Sequence, residues 1–208
     1  MRPQHKHFES HGNRHAVRCL HAGSEGHDGH EADGRRQAAE AFIRAVFHRR
    51  YGAQVPTVAP NLMLLEQYGD ILAAAGWRAA DRGQLMLEDY LDQPVEELVG
   101  RLAGQPVARA RIVEVGNFAA CRAGSSLILI PALAAHLDRL GYEWVVFTAT
   151  SELIGIFRRL GLPPLALAPA DPQRLGAQAL AWGSYYSTAP VVVAGRIRLA
   201  LARGDVHA

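Results

Sequence analysis

The chain has 208 residues, 49% of them apolar and 20% charged, the make-up of one soluble globular domain with room for a tail. A formal net charge of +2 without a basic stripe excludes a dedicated nucleic-acid binder. The two cysteines, Cys19 and Cys121, form no metal spacing and no expected disulfide. The longest apolar run, Leu127 to Ala135, is about half a membrane span and contains Pro131. With no apolar signal segment at the start, the expected location is the cytoplasm.

Residues 1–35 are rich in His, Gly and charge and poor in large apolar side chains, so a disordered tail is expected there, followed by one domain over 36–208. Its histidines are His5, His7, His11, His15, His21, His27 and His30. His7, His11 and His15 would share one face of a helix, yet no acid or cysteine completes a metal site at that spacing, and no metal is assigned.

Folding is expected to begin near Gln37, where Phe42, Ile43, Val46 and Phe47 recur at helical spacing. Arg49 and Arg50 suit the end of that helix, and Gly52 is its stop. Two apolar segments then flank Tyr68-Gly69-Asp70, a hairpin turn. An extended piece follows near Leu85 to Leu87. Asp92 is the expected cap of a helix with Leu98 and Leu102 on one face, and Glu88 and Asp89 read as surface charges.

Ile112 to Ala119 has the β-branched content of a strand, with Glu114 set inside it. A loop over Ala120 to Ser126 leads to an apolar helix ending at Gly141, and Trp144 to Ala149 reads as a buried strand. Ser151 is the expected cap of a helix carrying Leu153, Ile156, Phe157 and Leu160. A short strand at Leu165 to Ala168, a helical start at Asp171-Pro172 and a strand at Val191 to Val193 complete the chain. Strand, helix and strand at this length imply an α/β domain, with a parallel pair in a mixed sheet flanked by helices.

Three segments, VEVGNFAA, WVVFTAT with FRRLGLP, and WGSYY before PVVVAG, together resemble the thermostable hemolysin family over about Phe42 to Gly195. That family's pattern resembles in turn the GNAT-type acyltransferases and the acyl-homoserine-lactone synthases among them. The resemblance implies transfer of an acyl group from a thioester to an amine. The donor would be acyl-CoA or acyl-phosphopantetheine on an acyl carrier protein, with a small-molecule amine as acceptor. Glu114 would be the general base through water, and Tyr185 or Tyr186 would protonate the leaving thiolate. Arg122, Gly124, Ser125 and Ser126 would receive the donor's phosphates at a helix start. Asn117, Thr148, Thr150 and Trp182 would contact substrate.

Each residue also has a plainer role. Glu114 can pair with an arginine, Asn117 can form a turn, Thr148 and Thr150 can be strand and cap residues, and the aromatics can be core. Cys121 is expected to be a small buried thiol, with His136 its only nearby base. The loop lacks the second glycine of the GNAT pattern Arg/Gln-x-x-Gly-x-Gly/Ala, so coenzyme A and carrier protein both stay open as donors. Two other readings stand beside the enzyme: a membrane-lytic protein, as the family name implies, and a catalytically silent GNAT-like binding module.

Overall fold

The computed structural model describes residues 15–21, 29–122 and 124–204. A seven-stranded sheet runs in the order β1-β2-β3-β4-β5-β7-β6, with β1 at Ala16–Leu20, β2 at Asn61–Gln67, β3 at Asp70–Ala79, β4 at Ile112–Ala120, β5 at Trp144–Ala149, β6 at Leu165–Pro169 and β7 at Val191–Arg196. The helices are α1 (Gly29–Tyr51), α2 (Val95–Ala103), α3 (Ser125–Arg139), α4 (Ser151–Arg159) and α5 (Ile197–Gly204). Among the described residues only β4 and β5 pair in parallel, so the expected mixed α/β sheet is present.

The hairpin forms as its sequence dictates. Gln67 faces Asp70 across a two-residue turn, and Tyr68 and Gly69 take φ values of 52° and 88°. Both central residues of such a turn need positive φ, which matches the right-handed strand twist.

Several local expectations change. Ala16–Leu20, placed by composition in the tail, pairs antiparallel with β2, and α1 starts at Gly29 rather than near Gln37. His5, His7, His11, His27 and the residues before His15 lie outside the described residues or their described side chains. Met86–Tyr90 forms a 3-10 turn, not an extended piece. Pro94 occupies the cap position of α2, while Asp92 pairs with Arg174 at 2.6 Å. Leu102 is exposed, and Val95 and Val99 carry the buried face instead. Thr150, not Ser151, caps α4: its hydroxyl accepts the Leu153 N–H at 3.3 Å. The helix over Ser125–Arg139 runs through Pro131 without ending.

Two layers cover the sheet. On one face, α1 packs Ile43, Val46 and Phe47 against Leu62, Leu64 and Tyr185, and α2 with Leu85, Leu87 and Tyr90 packs against Ile112, Val146 and Val192. On the other face, Leu129, Leu133 and Leu137 of α3 and Ile197 of α5 pack on Met63, Leu65, Trp77 and Val113. The α4 residues Leu153, Ile154 and Phe157 lie against Phe147 and Val193.

The segment after β6 is tied to the end of α1. Ser184 N–H donates to Tyr51 O at 2.8 Å, and Gln54 N–H donates to Ala181 O at 2.6 Å. Gly183 sits at φ 53° between these bonds, and a Cβ there would lie 2.1 Å from Tyr51 O. Backbone would have to move to relieve that contact. Gly183→Ala is therefore expected to destabilise the fold by about 2–4 kcal/mol, read from the denaturant midpoint.

Candidate functional site

β4 and β5 stay paired for three registers only, Ile112 with Trp144, Val113 with Val145 and Glu114 with Val146. Beyond Glu114 they part, although β4 continues to Ala120 and β5 to Ala149. A bulge in β4 begins at Asn117, three residues past Glu114 of the last pair. Gly116 faces Gly76 and Ala119 faces Ala74, so Asn117 and Phe118 together oppose Ala75. A bulge bends its strand and increases the local twist.

Asn117 supplies the left-handed residue of that bulge, with φ 53°. Its Oδ1 accepts the Ala59 N–H at 2.9 Å, and its Nδ2 donates to Thr57 O at 3.4 Å. A Cβ on Gly76 would lie 2.7 Å from the Ala59 Cβ and 3.2 Å from Asn117 Oδ1, so only glycine lets the 57–59 segment approach this closely. Asn117 thus fixes the bulge and the segment beside it.

The parted strands open into a cavity of about 870 Å³ lined from both faces of the sheet. Tyr90, Trp182, Tyr185 and Tyr186 contribute from one side, and Leu133, Leu137, Phe147 and Ile197 from the other. Glu114, Asn117, Arg122, Gly124, Ser126, Thr148 and Thr150 also line it, so the cavity brings together every expected site residue except Ser125.

Glu114 is 8% exposed. Its Oε2 accepts the Met86 N–H at 3.0 Å, and its Oε1 accepts the Leu87 N–H at 2.9 Å. Arg78, its cross-strand partner on β3, has Nε 3.9 Å from Oε2. Burial disfavours the ionised carboxylate and outweighs these contacts, leaving the Glu114 pKa above the ordinary carboxylate range.

The turn that Glu114 holds is bound at both ends. Glu88, expected on the surface, is mostly buried and accepts from Arg109 Nη2 at 2.6 Å, Leu85 N at 2.9 Å and Val95 N at 3.1 Å. Arg109 also reaches Glu96 at 2.6 Å. Arg174 donates to the backbone carbonyls of Asp89 at 2.9 Å and Leu91 at 2.8 Å. Sequence reasoning missed this network because its members lie far apart in the chain.

Tyr90 was missed as well. It ends the turn and shares a 2.6 Å hydrogen bond with the Tyr186 hydroxyl. Burial raises the pKa of both phenols, and that of Tyr185. Tyr185 is packed edge to face on Tyr51 and beside Phe47 and Trp182. Trp182 belongs to this aromatic nest.

At the far end of β4, Gly124 caps α3 with φ 87° and no side chain caps the helix. Ser125 and Ser126 are buried, and Arg122 is exposed with Nη1 3.4 Å from Gln67 Oε1. Thr150 spends its hydroxyl on the α4 cap, whereas Thr148 is half-buried on β5. Cys121 is exposed, contrary to expectation, because its loop leaves the sheet at the cavity edge. His136 lies instead beside Cys19, with Nδ1 3.8 Å from Sγ. No cluster of three or more metal-ligating side chains occurs among the described residues.

Among the described residues the single parallel pair of this mixed sheet parts over a cavity, with helices on both faces, and the fold is GNAT-like. The sequence pattern of the thermostable hemolysin family matches residues 30–201, and the chain belongs to that family. Among solved structures it is similar to the AHL synthase LasI, at 18% identity and TM-score 0.58 over 91% of this chain and 95% of that one. It is also similar to BjaI, a CoA-dependent acyl-homoserine lactone synthase solved with SAM and isopentyl-CoA, at 14% identity and TM-score 0.60 over 92% and 89%. A third is FeeM, an N-acyl amino acid synthase from uncultured soil microbes, at 14% identity and TM-score 0.55 over 91% and 94%. No curated protein matches the chain in sequence. None of the described helices is long and apolar enough to cross a membrane.

The Glu88 network has a pH signature. Burial pushes against the ionised carboxylate, but the bonds from Arg109, Leu85 and Val95 prevail and hold the pKa at about 2, below the ordinary 4.5. A depressed folded value stabilises the native state fully above the unfolded value, and the contribution is lost as pH falls from about 4.5 through about 2. Stability is expected to drop across that window, and Glu88→Gln should flatten the drop in thermal melts taken from pH 5 to pH 2.

Proposed function

We propose that this protein is an N-acyltransferase that moves an acyl group from a thioester to an amine. The observation that carries the reading is the parting of β4 and β5 at Glu114, which sets a buried carboxylate of raised pKa and a pair of phenols on one cavity. Among the described residues, the edges of β4 and β5 that face each other beyond that point have no strand partner. Their free N–H and C=O groups suit the two amides of a pantetheine arm, which can pair with a strand edge as a peptide does.

The acyl group then lies in the apolar cavity. Its volume of about 870 Å³ leaves room for an acyl chain and an acceptor together. The donor is acyl-CoA or an acyl carrier protein. Both present the same thioester arm, and both find Gly124, Ser125 and Ser126 at the start of α3, where backbone N–H groups favour phosphate oxygens. Arg122 stands at that mouth. Thr148 and Trp182 line the cavity as substrate contacts, and Asn117 and Thr150 shape it through the bulge and the helix cap.

The acceptor arrives as an ammonium. Glu114 takes its proton through a water, and the freed amine nitrogen attacks the thioester carbonyl carbon. The C–N bond forms, the tetrahedral intermediate collapses and the C–S bond breaks. A phenol donates its proton to the departing thiolate. Tyr186 suits this role because Tyr90 holds its hydroxyl, while Tyr185 remains the second candidate.

Because the base must be ionised, the rate should rise with pH as Glu114 loses its proton. Its raised pKa places that limb above the ordinary carboxylate range. Thiol release measured with acyl-CoA and acyl-carrier donors against mixed amines, with mass detection of the acylated product, tests the reading. Glu114→Gln is expected to lower the rate by about 10²–10⁴-fold and abolish the acid limb. An unchanged rate would remove Glu114 from the mechanism, and an absence of thioester consumption would remove the enzyme.

A further inference from the structure

One ion pair crosses the gap that β4 and β5 leave between them. Arg50 lies in the last turn of α1 and Glu152 in the first turn of α4, and the guanidinium pairs with the carboxylate. Both side chains line the cavity.

The two helices belong to opposite faces of the sheet. α1 shares its face with the α2 layer, where Val146 is buried, whereas α4 packs on Phe147. Successive strand residues point to opposite faces, so Phe147 projects away from the α1 side. An unbroken sheet keeps the helices of its two faces apart by its own thickness and both side-chain layers. Contact between α1 and α4 therefore passes through the opening or round the end of β5. That strand has only three residues, Phe147 to Ala149, beyond its last pairing with β4, so the ion pair spans the wide end of the opening. Among the described residues the other helix-to-helix ion pairs stay within α1 or join α3 to α5, which share a face.

We infer that Arg50 and Glu152 form a latch across the wide end of the cavity. It is closed when no donor is bound, and the pantetheine arm must open it to reach the facing edges of β4 and β5. This rests on the acyl-transfer reading above, in which the arm takes the space that the pair crosses.

The energetics suit a latch better than a structural tie. The two side chains are 43% and 56% exposed, and ion pairs this open contribute little to stability and are screened by salt. The helices do not need the pair to stay in place. Ile43, Val46 and Phe47 bury the packed face of α1, and Leu153, Ile154 and Phe157 carry that of α4. The Arg50 guanidinium also lies 5.4 Å from the centre of the Tyr51 ring, a second resting contact for the cation when Glu152 swings away.

The test uses an acyl-pantetheine thioester as donor at saturating amine. This donor carries no phosphate, so added salt acts on the latch and not on donor charge. Arg50→Gln and Glu152→Gln are each expected to raise the donor's kcat/KM by about two- to fivefold, through KM, at low salt. Raising the ionic strength should bring the wild-type protein up to the same value and leave both variants where they are. The charge swap, Arg50→Glu with Glu152→Arg, should restore the wild-type KM and its salt response. A bis-maleimide joining Arg50→Cys to Glu152→Cys, in a chain with Cys19→Ser and Cys121→Ser, should abolish turnover that the same chain shows before cross-linking. The wild-type salt series decides the matter even if a variant fails to fold. A flat wild-type series, variants with unchanged or lower kcat/KM, or a cross-linked protein that keeps its turnover would overturn the latch and leave acyl transfer standing. No thioester consumption by any form would overturn the acyl-transfer reading and this inference with it.

Discussion

Everything at the cavity depends on the loss of pairing between β4 and β5 after Glu114 and Val146. A parallel pair inside a sheet has no reason to part unless something bends it. Here the bend is local and traceable: Asn117 accepts a left-handed backbone, two residues of β4 oppose one of β3, and Gly76 lets the 57–59 segment press in beside the bulge. Asn117 then bonds that segment through both ends of its amide. Opening the sheet leaves backbone groups on two strand edges without partners. That cost is tolerable only where solvent or ligand reaches them, and the cavity provides the access.

The same region shows how one carboxylate is both fixed and kept basic. Two backbone N–H groups hold Glu114, and Arg78 stands opposite; each favours the ionised form. Burial works against all three and prevails. The groups that donate to Glu114 belong to the turn that carries Tyr90, and Tyr90 holds Tyr186. The proposed base and the proposed acid are therefore placed by one short segment, itself anchored by Glu88, Arg109 and Arg174. A change at any of these anchors is transmitted to both ends of the proposed reaction.

Much of this was legible from local pattern. The hairpin, the β4–α3–β5–α4 unit and Glu114 within a strand follow from apolar periodicity and turn chemistry. What stayed hidden depends on contacts between distant residues. Glu88 reads as a surface charge until Arg109, twenty-one residues on, is folded against it. Tyr90 and Tyr186 meet across ninety-six residues. Val17 and its neighbours look like tail because β1 is an edge strand with only its end buried, leaving no alternating pattern to read. Cap positions failed for a smaller reason: Thr150 and Ser151 are equivalent by composition, and only backbone geometry selects between them.

The family name speaks of lysis, whereas the fold speaks of acyl chemistry, and a fold alone does not fix an activity. The most direct test of the account is a crystal structure with a non-hydrolysable acyl-pantetheine thioether, the fragment shared by coenzyme A and carrier-protein donors. The account predicts the pantetheine amides paired along the facing edges of β4 and β5, with the carbonyl carbon beside Glu114 and the acyl chain in the cavity. A thioether bound elsewhere on the surface, with the cavity unfilled at saturating concentration, would contradict it.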